Sequence, residues 1–110
     1  MELRVYQINM ARDKQRVKFQ PLDEAVKQTG KIDAAIYDKV FDGELACKDL
    51  EEVFETLNSW SPPGYTGHSL YVSDVVKTAE GCFYCDLTDF KPVEFDASMP
   101  EDMQSAMDVY

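Results

Sequence analysis

The clearest hydrophobic pattern in the chain lies in residues 48–58. Four apolar residues recur there at positions i, i+3, i+4 and i+7: Leu50, Val53, Phe54 and Leu57. This spacing places them on one face of a helix, with carboxylates at positions between them. Three of those carboxylates lie near the start of the segment, where the helix macrodipole stabilises negative charge. We therefore predict an amphipathic helix over residues 48–58 that packs one face on a core.

Residues with high strand propensity are concentrated in five shorter segments. The predicted strands are residues 3–8, 36–41, 70–76, 82–87 and 90–95. Asp42-Gly43 has the composition of a turn, and residues 77–81 have a length typical of a hairpin connection. Pro92 cannot donate a backbone hydrogen bond, so we expect the last strand at an edge of the sheet.

Two shorter helices complete the pattern. Pro21 can begin a helix over residues 22–28. Ser98 and Glu101 have the spacing of a capping box, and Met99, Met103 and Met107 recur every four residues. This spacing predicts a C-terminal helix at about residues 99–108.

These elements predict an α+β fold. We expect a small antiparallel sheet of about four to five strands, packed by the main helix and by short flanking helices. A length of 110 residues leaves no room for a second sizeable core, so residues 1–110 are predicted to form one domain.

The chain is strongly acidic, with 21 Asp and Glu residues, 11 Lys and Arg, and a net charge of −10. This balance argues against a duplex-binding module, because Lys and Arg are needed to neutralise phosphates. The charge is also uneven. Residues 1–31 have a balance of +3, residues 32–110 one of −13, and residues 78–110 contain one lysine against eight carboxylates. We expect this asymmetry to steer a partner of opposite charge; the alternative is that it serves only solubility.

Cysteine content and hydropathy bear on location. No apolar run approaches the roughly 18 residues that span a bilayer. An odd count of three cysteines indicates reduced thiols rather than a disulfide framework. We expect a cytoplasmic monomer that makes no membrane contact.

Four residues could form a zinc site. Cys82-x-x-Cys85 is the sharpest local pattern, and Cys47 and His68 would complete a Cys3His set of the kind that tetrahedral zinc prefers. A regular strand over residues 82–87 would place the two paired cysteines on opposite faces, which opposes this hypothesis. We expect that no cofactor is required, and keep a zinc-stabilised structural or adaptor domain as an alternative.

Catalytic motifs are weak. His68 is the sole histidine, so any Ser-His or Cys-His mechanism would need it, and no nucleophile elbow surrounds it. Asp38, Asp42 and Glu44 are close in sequence but lack the spacing of a known metal motif. We predict that the chain is not an enzyme; a small metal-dependent nuclease that uses these residues is a further alternative.

The acidic C-terminal third is the candidate partner-binding surface. Tyrosine is a favoured anchor at protein interfaces, so two tyrosines on or near the predicted hairpin are added to it. The predicted contact residues are Glu80, Asp86, Asp89, Glu94, Asp96, Glu101, Asp102, Tyr71 and Tyr84.

Several short segments carry a further pattern: Val5–Asn9, Phe41–Leu45, Leu50–Phe54, Leu57-Asn58, Gly67–Val76, Phe83–Asp86 and Phe90. Together they resemble the YodL-like domain, which is found in small proteins of Gram-positive conjugative elements and prophages. The resemblance covers about residues 3–95, and Ser-Asp-Val-Val at residues 73–76 is its most specific part.

The resemblance implies a setting rather than a reaction. Accessory proteins of mobile elements often counter host defence, and an acidic domain of this size is similar to several anti-CRISPR proteins. It implies a phage or mobile-element inhibitor of a host nucleic-acid enzyme, with the type II RNA-guided nuclease as the target to consider first. Carboxylates would then compete for the positive channel that holds the nucleic acid.

Overall fold

The computed structural model describes residues 1–27 and 29–102, and a six-stranded sheet forms its centre. The elements are β1 (Glu2–Ile8), α1 (Leu22–Ala25), a 3-10 turn (Ala34–Ile36), β2 (Tyr37–Glu44), α2 (Leu50–Ser59), β3 (Val75–Thr78), β4 (Gly81–Cys85), β5 (Phe90–Val93) and β6 (Glu101–Asp102). The strand order is β5-β4-β3-β1-β2-β6. The first five strands are antiparallel, and the two-residue β6 runs parallel to β2. The predicted α+β fold is confirmed.

Helix α2 forms where the hydrophobic spacing predicts it. Asp49 is its N-cap, and the carboxylate accepts a hydrogen bond from the backbone N–H of Glu52 at 2.9 Å. Val53 and Leu57 are buried, and Leu50 and Phe54 are half-buried against the same core. The helix therefore covers one face of the sheet with its apolar stripe.

Two hydrophobic clusters lie on the sheet. The first includes side chains of α2. Its buried residues are Leu3, Val5, Val40, Phe41, Leu45, Val53, Leu57, Leu70 and Val76. The second contains Tyr6, Ile8, Ile32, Tyr37, Val75 and Tyr84, with Leu22 of α1 packed against it. Adjacent strand residues such as Val5 and Tyr6 contribute to different clusters, as expected for side chains that alternate between the faces of a strand.

Residues 94–100 carry the chain from β5 at one edge of the sheet to β6 at the other. Phe95 anchors this crossing segment on the second cluster, with ring centroids 4.9 Å from Tyr6 and 5.2 Å from Tyr37. Glu101 then pairs with Asp38 of β2. The segment thus joins both edges of the sheet.

The predicted turn at Asp42-Gly43 is wrong. Both residues lie inside β2, where they pair with Arg4 and Leu3. The register shifts between Val5 and Tyr6 of β1, so that β2 contains one extra residue. Pairing with β1 overrides the local turn composition.

The predicted strand over residues 70–76 is wrong in its first five residues. They form a loop, and β3 begins at Val75. Ser73 has a φ of 82°, which a regular strand cannot contain. The β3–β4 connection is also shorter than predicted: Thr78 pairs with Gly81, so only two residues remain between the strands.

The two short helices also differ from prediction. Helix α1 ends at Ala25 rather than at residue 28. The C-terminal helix predicted at residues 99–108 is wrong where the structure describes it, because Glu101–Asp102 forms β6. Ser98 bonds to Asp96 instead of forming a capping box. Residues 103–108 of that prediction lie outside the described residues.

β5 is an edge strand, as Pro92 predicts. Within the part of the chain that the structure describes, no helix is long and apolar enough to cross a membrane.

Candidate functional site

A buried glutamine holds the loop of residues 67–74, called the motif loop here. The Gln7 side-chain oxygen accepts from the backbone N–H of His68 at 3.0 Å. Its Nε2 donates to the His68 carbonyl at 2.9 Å and to Asp74 Oδ2 at 3.1 Å. The Tyr65 hydroxyl donates to the same His68 carbonyl at 2.6 Å. Gln7 thus ties β1 to both ends of the motif loop.

Asp74 is the buried acid of this network, with 1% of its surface exposed. Burial raises the pKa of Asp74 to about 7, against the hydrogen bonds from the Tyr71 backbone N–H and Gln7 and the charge of Lys18, which lower it. The Tyr71 N–H lies 2.8 Å from Oδ2. The carboxyl group therefore changes its charge near neutral pH, because burial removes most of the water that would solvate the carboxylate.

Three non-glycine residues with positive φ occur among the described residues: Arg16 at 55°, Phe19 at 70° and Ser73 at 82°. Two of them are bonded to each other, because the Phe19 N–H donates to Ser73 Oγ at 3.0 Å. The Tyr37 hydroxyl donates to the Ser73 carbonyl at 2.7 Å. Such backbone strain costs on the order of 1–3 kcal/mol per residue and is concentrated at functional sites. The motif loop is a candidate site on this ground.

The motif loop forms an aromatic and basic surface together with Lys18 and Phe19. Phe19 and Tyr71 are about half exposed, and their ring centroids lie 5.7 Å apart with an edge-on geometry. Lys18 Nζ lies 5.3 Å from the Phe19 centroid and 3.2 Å from His68 Nε2. His68 Nδ1 is 2.7 Å from the Ser69 carbonyl oxygen, which only accepts. We therefore assign the imidazole proton to Nδ1, which leaves Nε2 to accept from Lys18.

A concavity lies between α2 and the β4–β5 connection, and it is called the acidic groove here. Its volume is about 720 Å³. Apolar side chains line it: Leu50 and Phe54 from α2, and Leu87 and Phe90 from the other wall. Five carboxylates surround them: Asp49, Glu51, Glu55, Asp86 and Asp89. No lysine or arginine is among the described residues that line the groove.

Asp86 is the structural member of that set. Its carboxylate accepts from Lys91 Nζ at 2.9 Å and from the Leu22 and Leu87 backbone N–H groups. Burial raises the pKa of Asp86, yet these hydrogen bonds together lower it below its usual value. Asp86 therefore stays ionised and fixes the β4–β5 connection to α1. In the described part of the chain, Glu51, Glu55 and Asp89 form no ion pair.

The predicted acidic contact residues do not form one face. Glu80 lies in the β3–β4 turn, at the opposite end of β4 from Asp86 and Asp89. Glu94 and Asp96 lie on the crossing segment. The remaining two lie at the other edge of the sheet in β6, where Glu101 Oε2 is 3.7 Å from Arg12 Nη1 and the side chain of Asp102 lies outside the described set.

The prediction that Tyr84 contacts a partner is wrong, because its side chain is fully buried. The hydroxyl donates to the Gln20 carbonyl at 2.7 Å, and burial raises the pKa of Tyr84. Tyr71 is exposed, as a contact residue must be. The carboxylates of α2 were missed because helical periodicity assigned them to a solvated face. Nothing in the sequence brings Glu51 near Asp89.

The structure does not bring together the four residues considered for a zinc site, which are Cys47, His68, Cys82 and Cys85. Cys82 and Cys85 point to opposite faces of β4, and Cys82 packs with the second cluster. Cys85 is buried near α2, and burial raises the pKa of its thiol to about 12. Cys47 Sγ lies 3.5 Å from Thr56 Oγ1. Among residues 1–27 and 29–102, no three His, Cys, Asp or Glu residues are grouped to hold a metal ion.

Two of the three carboxylates considered for a nuclease form ion pairs, and the third, Glu44, is exposed at the end of β2. Asp38 accepts from Arg12 and, at 3.0 Å, from the Asn9 amide. Asp42 accepts from Arg4 at 3.2 Å and Lys39 at 3.1 Å. They stabilise the β1–β2 region as ion pairs.

Comparison with known proteins gives one finding. The family model of the YodL-like domain matches residues 2–95, which covers β1 to β5, the motif loop and the acidic groove. No curated protein and no solved structure matches the chain significantly.

Proposed function

The chain belongs to the YodL-like domain family, and from that premise we propose that it is an accessory protein of a mobile element or phage that binds and inhibits a host defence nuclease. It acts without catalysis, by an acidic surface that blocks nucleic-acid loading. The type II RNA-guided nuclease is the target to test first.

One observation carries this proposal: the acidic groove collects three carboxylates that form no ion pair among the described residues. Glu51, Glu55 and Asp89 come from two separate segments and line one concavity. Glu80 and Glu94 add exposed charges without an ion pair among the described residues. Solubility alone requires dispersed charge, and does not require carboxylates gathered around apolar side chains.

The physical basis is competition for a positive channel. A nuclease that holds a guide-target duplex must line its channel with Lys and Arg, because phosphates repel one another. A protein surface with an excess of carboxylates is complementary to such a channel and is steered towards it. Binding of this kind weakens as ionic strength rises, because salt screens exposed charges.

The non-catalytic mechanism is supported by the arrangement of the residues considered for chemistry. His68 lies in the motif loop and contacts Lys18, whereas Asp38 lies in β2 and is ion-paired to Arg12. A nuclease or hydrolase would need such groups to converge within hydrogen-bond reach of one reacting atom.

The test is a pull-down of purified type II RNA-guided nuclease, followed by a target-cleavage assay at rising concentrations of the protein. We expect retention of the nuclease and a cleavage rate that falls as the protein reaches excess. If cleavage is undiminished at a large molar excess of the protein over the nuclease, the proposal is wrong for this nuclease.

Charge reversal provides the matched measurement. Replacing Glu80, Asp89 and Glu94 with lysine changes the net charge by +6, and the effect on the fold is expected to be small because all three are exposed. We expect weaker inhibition that is also less sensitive to salt. Inhibition that is identical to the wild type at every ionic strength would show that these acids do not take part.

A further inference from the structure

We propose that the acidic groove docks a basic amphipathic helix of the partner protein. Apolar side chains of that helix would enter between α2 and the β4–β5 connection, and its Lys and Arg would pair with the rim. The inference deepens the proposed function and rests on it for the partner's identity, but the groove's ligand chemistry can be tested separately.

The first argument is an uncovered apolar floor. Leu87 exposes 68% of its surface in the β4–β5 connection, beside the exposed Asp89. Phe54 and Phe90 lie edge-on with centroids 6.5 Å apart, and both are only half-buried. These side chains come from two walls of one concavity, so a single apolar ligand can cover them together. Burial of apolar surface favours such binding.

The second argument is the charge of the rim. Glu51 and Glu55 are four residues apart on α2, so they lie on one side of the helix. Asp89 contributes a carboxylate from the opposite wall. An acidic or neutral ligand would leave these charges uncompensated, and an anionic membrane surface would be repelled. Charge complementarity therefore selects a ligand that is basic as well as apolar.

The third argument is shape. Leu50 and Phe54 are spaced i, i+4 and form a ridge along α2. Ridges of this kind pack into the grooves of a second helix at an interaxial distance of about 8–10 Å. A volume of about 720 Å³ accommodates several large side chains. A helix that lies beside α2 meets both the apolar floor and the acidic rim.

The probe is a fluorescein-labelled peptide of 18 residues made of Leu and Lys at amphipathic helical spacing. A second peptide of the same composition in scrambled order has the same charge without an apolar face. Binding is measured by fluorescence anisotropy with the full chain at two ionic strengths. We expect the amphipathic peptide to bind about tenfold more tightly than the scrambled one.

Two charge variants separate the groove from the rest of the surface. Glu51→Lys with Glu55→Lys reverses the rim, and Glu2→Lys with Glu24→Lys makes the same charge change outside both the groove and the predicted contact residues. All four positions are exposed, so both variants are expected to fold. The rim variant should weaken peptide binding about tenfold and the control variant less than about twofold. Circular dichroism and unfolding curves check that the two variants are equally folded.

Leu87→Ser tests the apolar floor without changing charge. Because Leu87 is 68% exposed, the substitution leaves the core intact. We expect it to weaken the amphipathic peptide severalfold and to leave the scrambled peptide unaffected.

The outcomes distinguish the two proposals. If the rim and control variants weaken peptide binding equally, or if both peptides bind with equal affinity, the groove is not a docking site for a basic amphipathic helix. The proposed inhibition by an acidic surface is not affected by that result. If the peptide binds in the groove but the protein does not slow cleavage by the nuclease, the docking proposal stands and the proposed function is rejected.

Discussion

At the scale of single residues, Asp74 couples the motif loop to pH. Its raised pKa means that the folded protein retains a proton which the unfolded chain releases near pH 4. The folded state therefore binds more protons between about pH 4 and about pH 7. Stability from this group is fully present below that window and is lost as pH rises through it, at about 1.4 kcal/mol per pH unit at most.

Asp74→Asn tests this linkage, because asparagine is neutral at every pH and its oxygen can accept from Gln7 and the Tyr71 N–H. We expect the free energy of unfolding of the wild type to fall relative to that of the variant between pH 4 and pH 7. Urea unfolding at four pH values gives this difference. Parallel pH profiles for the two proteins would contradict an Asp74 that titrates near neutrality.

Gly67 is the other residue on which the motif loop depends. A Cβ at this position would lie 2.1 Å from Gln7 Oε1 and 2.9 Å from Val40 Cγ2. Gly67→Ala must therefore displace the Gln7 amide and its bonds to the motif loop. We expect destabilisation of about 1–3 kcal/mol, measured by chemical unfolding. Ser69→Ala, on the exposed side of the same loop, is the control and should have little effect; equal losses would argue against the close approach.

At the scale of elements, the signals that are local in sequence were predictable. Helix α2 was predicted within two residues of each end, because its apolar spacing and its N-cap lie within the segment itself. The loop at residues 70–74 was not predictable, since its bonds come from Gln7 and Phe19, which are distant in sequence. β6 forms because Phe95 carries the crossing segment over the sheet, and no local pattern marks it.

Phe95→Ala tests whether the crossing segment holds β6 in place. The ring packs on Tyr6 and Tyr37, so its removal should cost about 2–4 kcal/mol. Relative to the wild type, amide hydrogen exchange should accelerate more in β6 than in β3, because β3 keeps both of its neighbouring strands. Met99→Ala, at an exposed position of the same segment, should change neither quantity. Unchanged exchange in β6 after loss of Phe95 would mean that other contacts hold it.

At the scale of the whole molecule, the acidic surplus of the C-terminal third is visible in the sequence, but the shape of the acidic groove is not. The surplus of carboxylates in residues 78–110 is plain from composition, and Asp86 and Asp89 were predicted from it. The other wall comes from α2, more than 30 positions earlier, and only the tertiary fold places Glu51 and Glu55 opposite them. The charge is therefore distributed unevenly over the fold. The groove has no lining cation among the described residues, while Lys18 lies beside the motif loop with the exposed rings of Phe19 and Tyr71.

Inhibition by occupation of a nucleic-acid channel has a kinetic signature. A protein that competes for the channel must act before guide and target fill it, because the loaded duplex already neutralises the positive charge. The most direct measurement is therefore target cleavage by the type II RNA-guided nuclease with the protein added either before or after the nucleic acids. We predict strong inhibition in the first order of addition and little in the second. Equal cleavage in both orders, at the uninhibited rate, would contradict the proposed function.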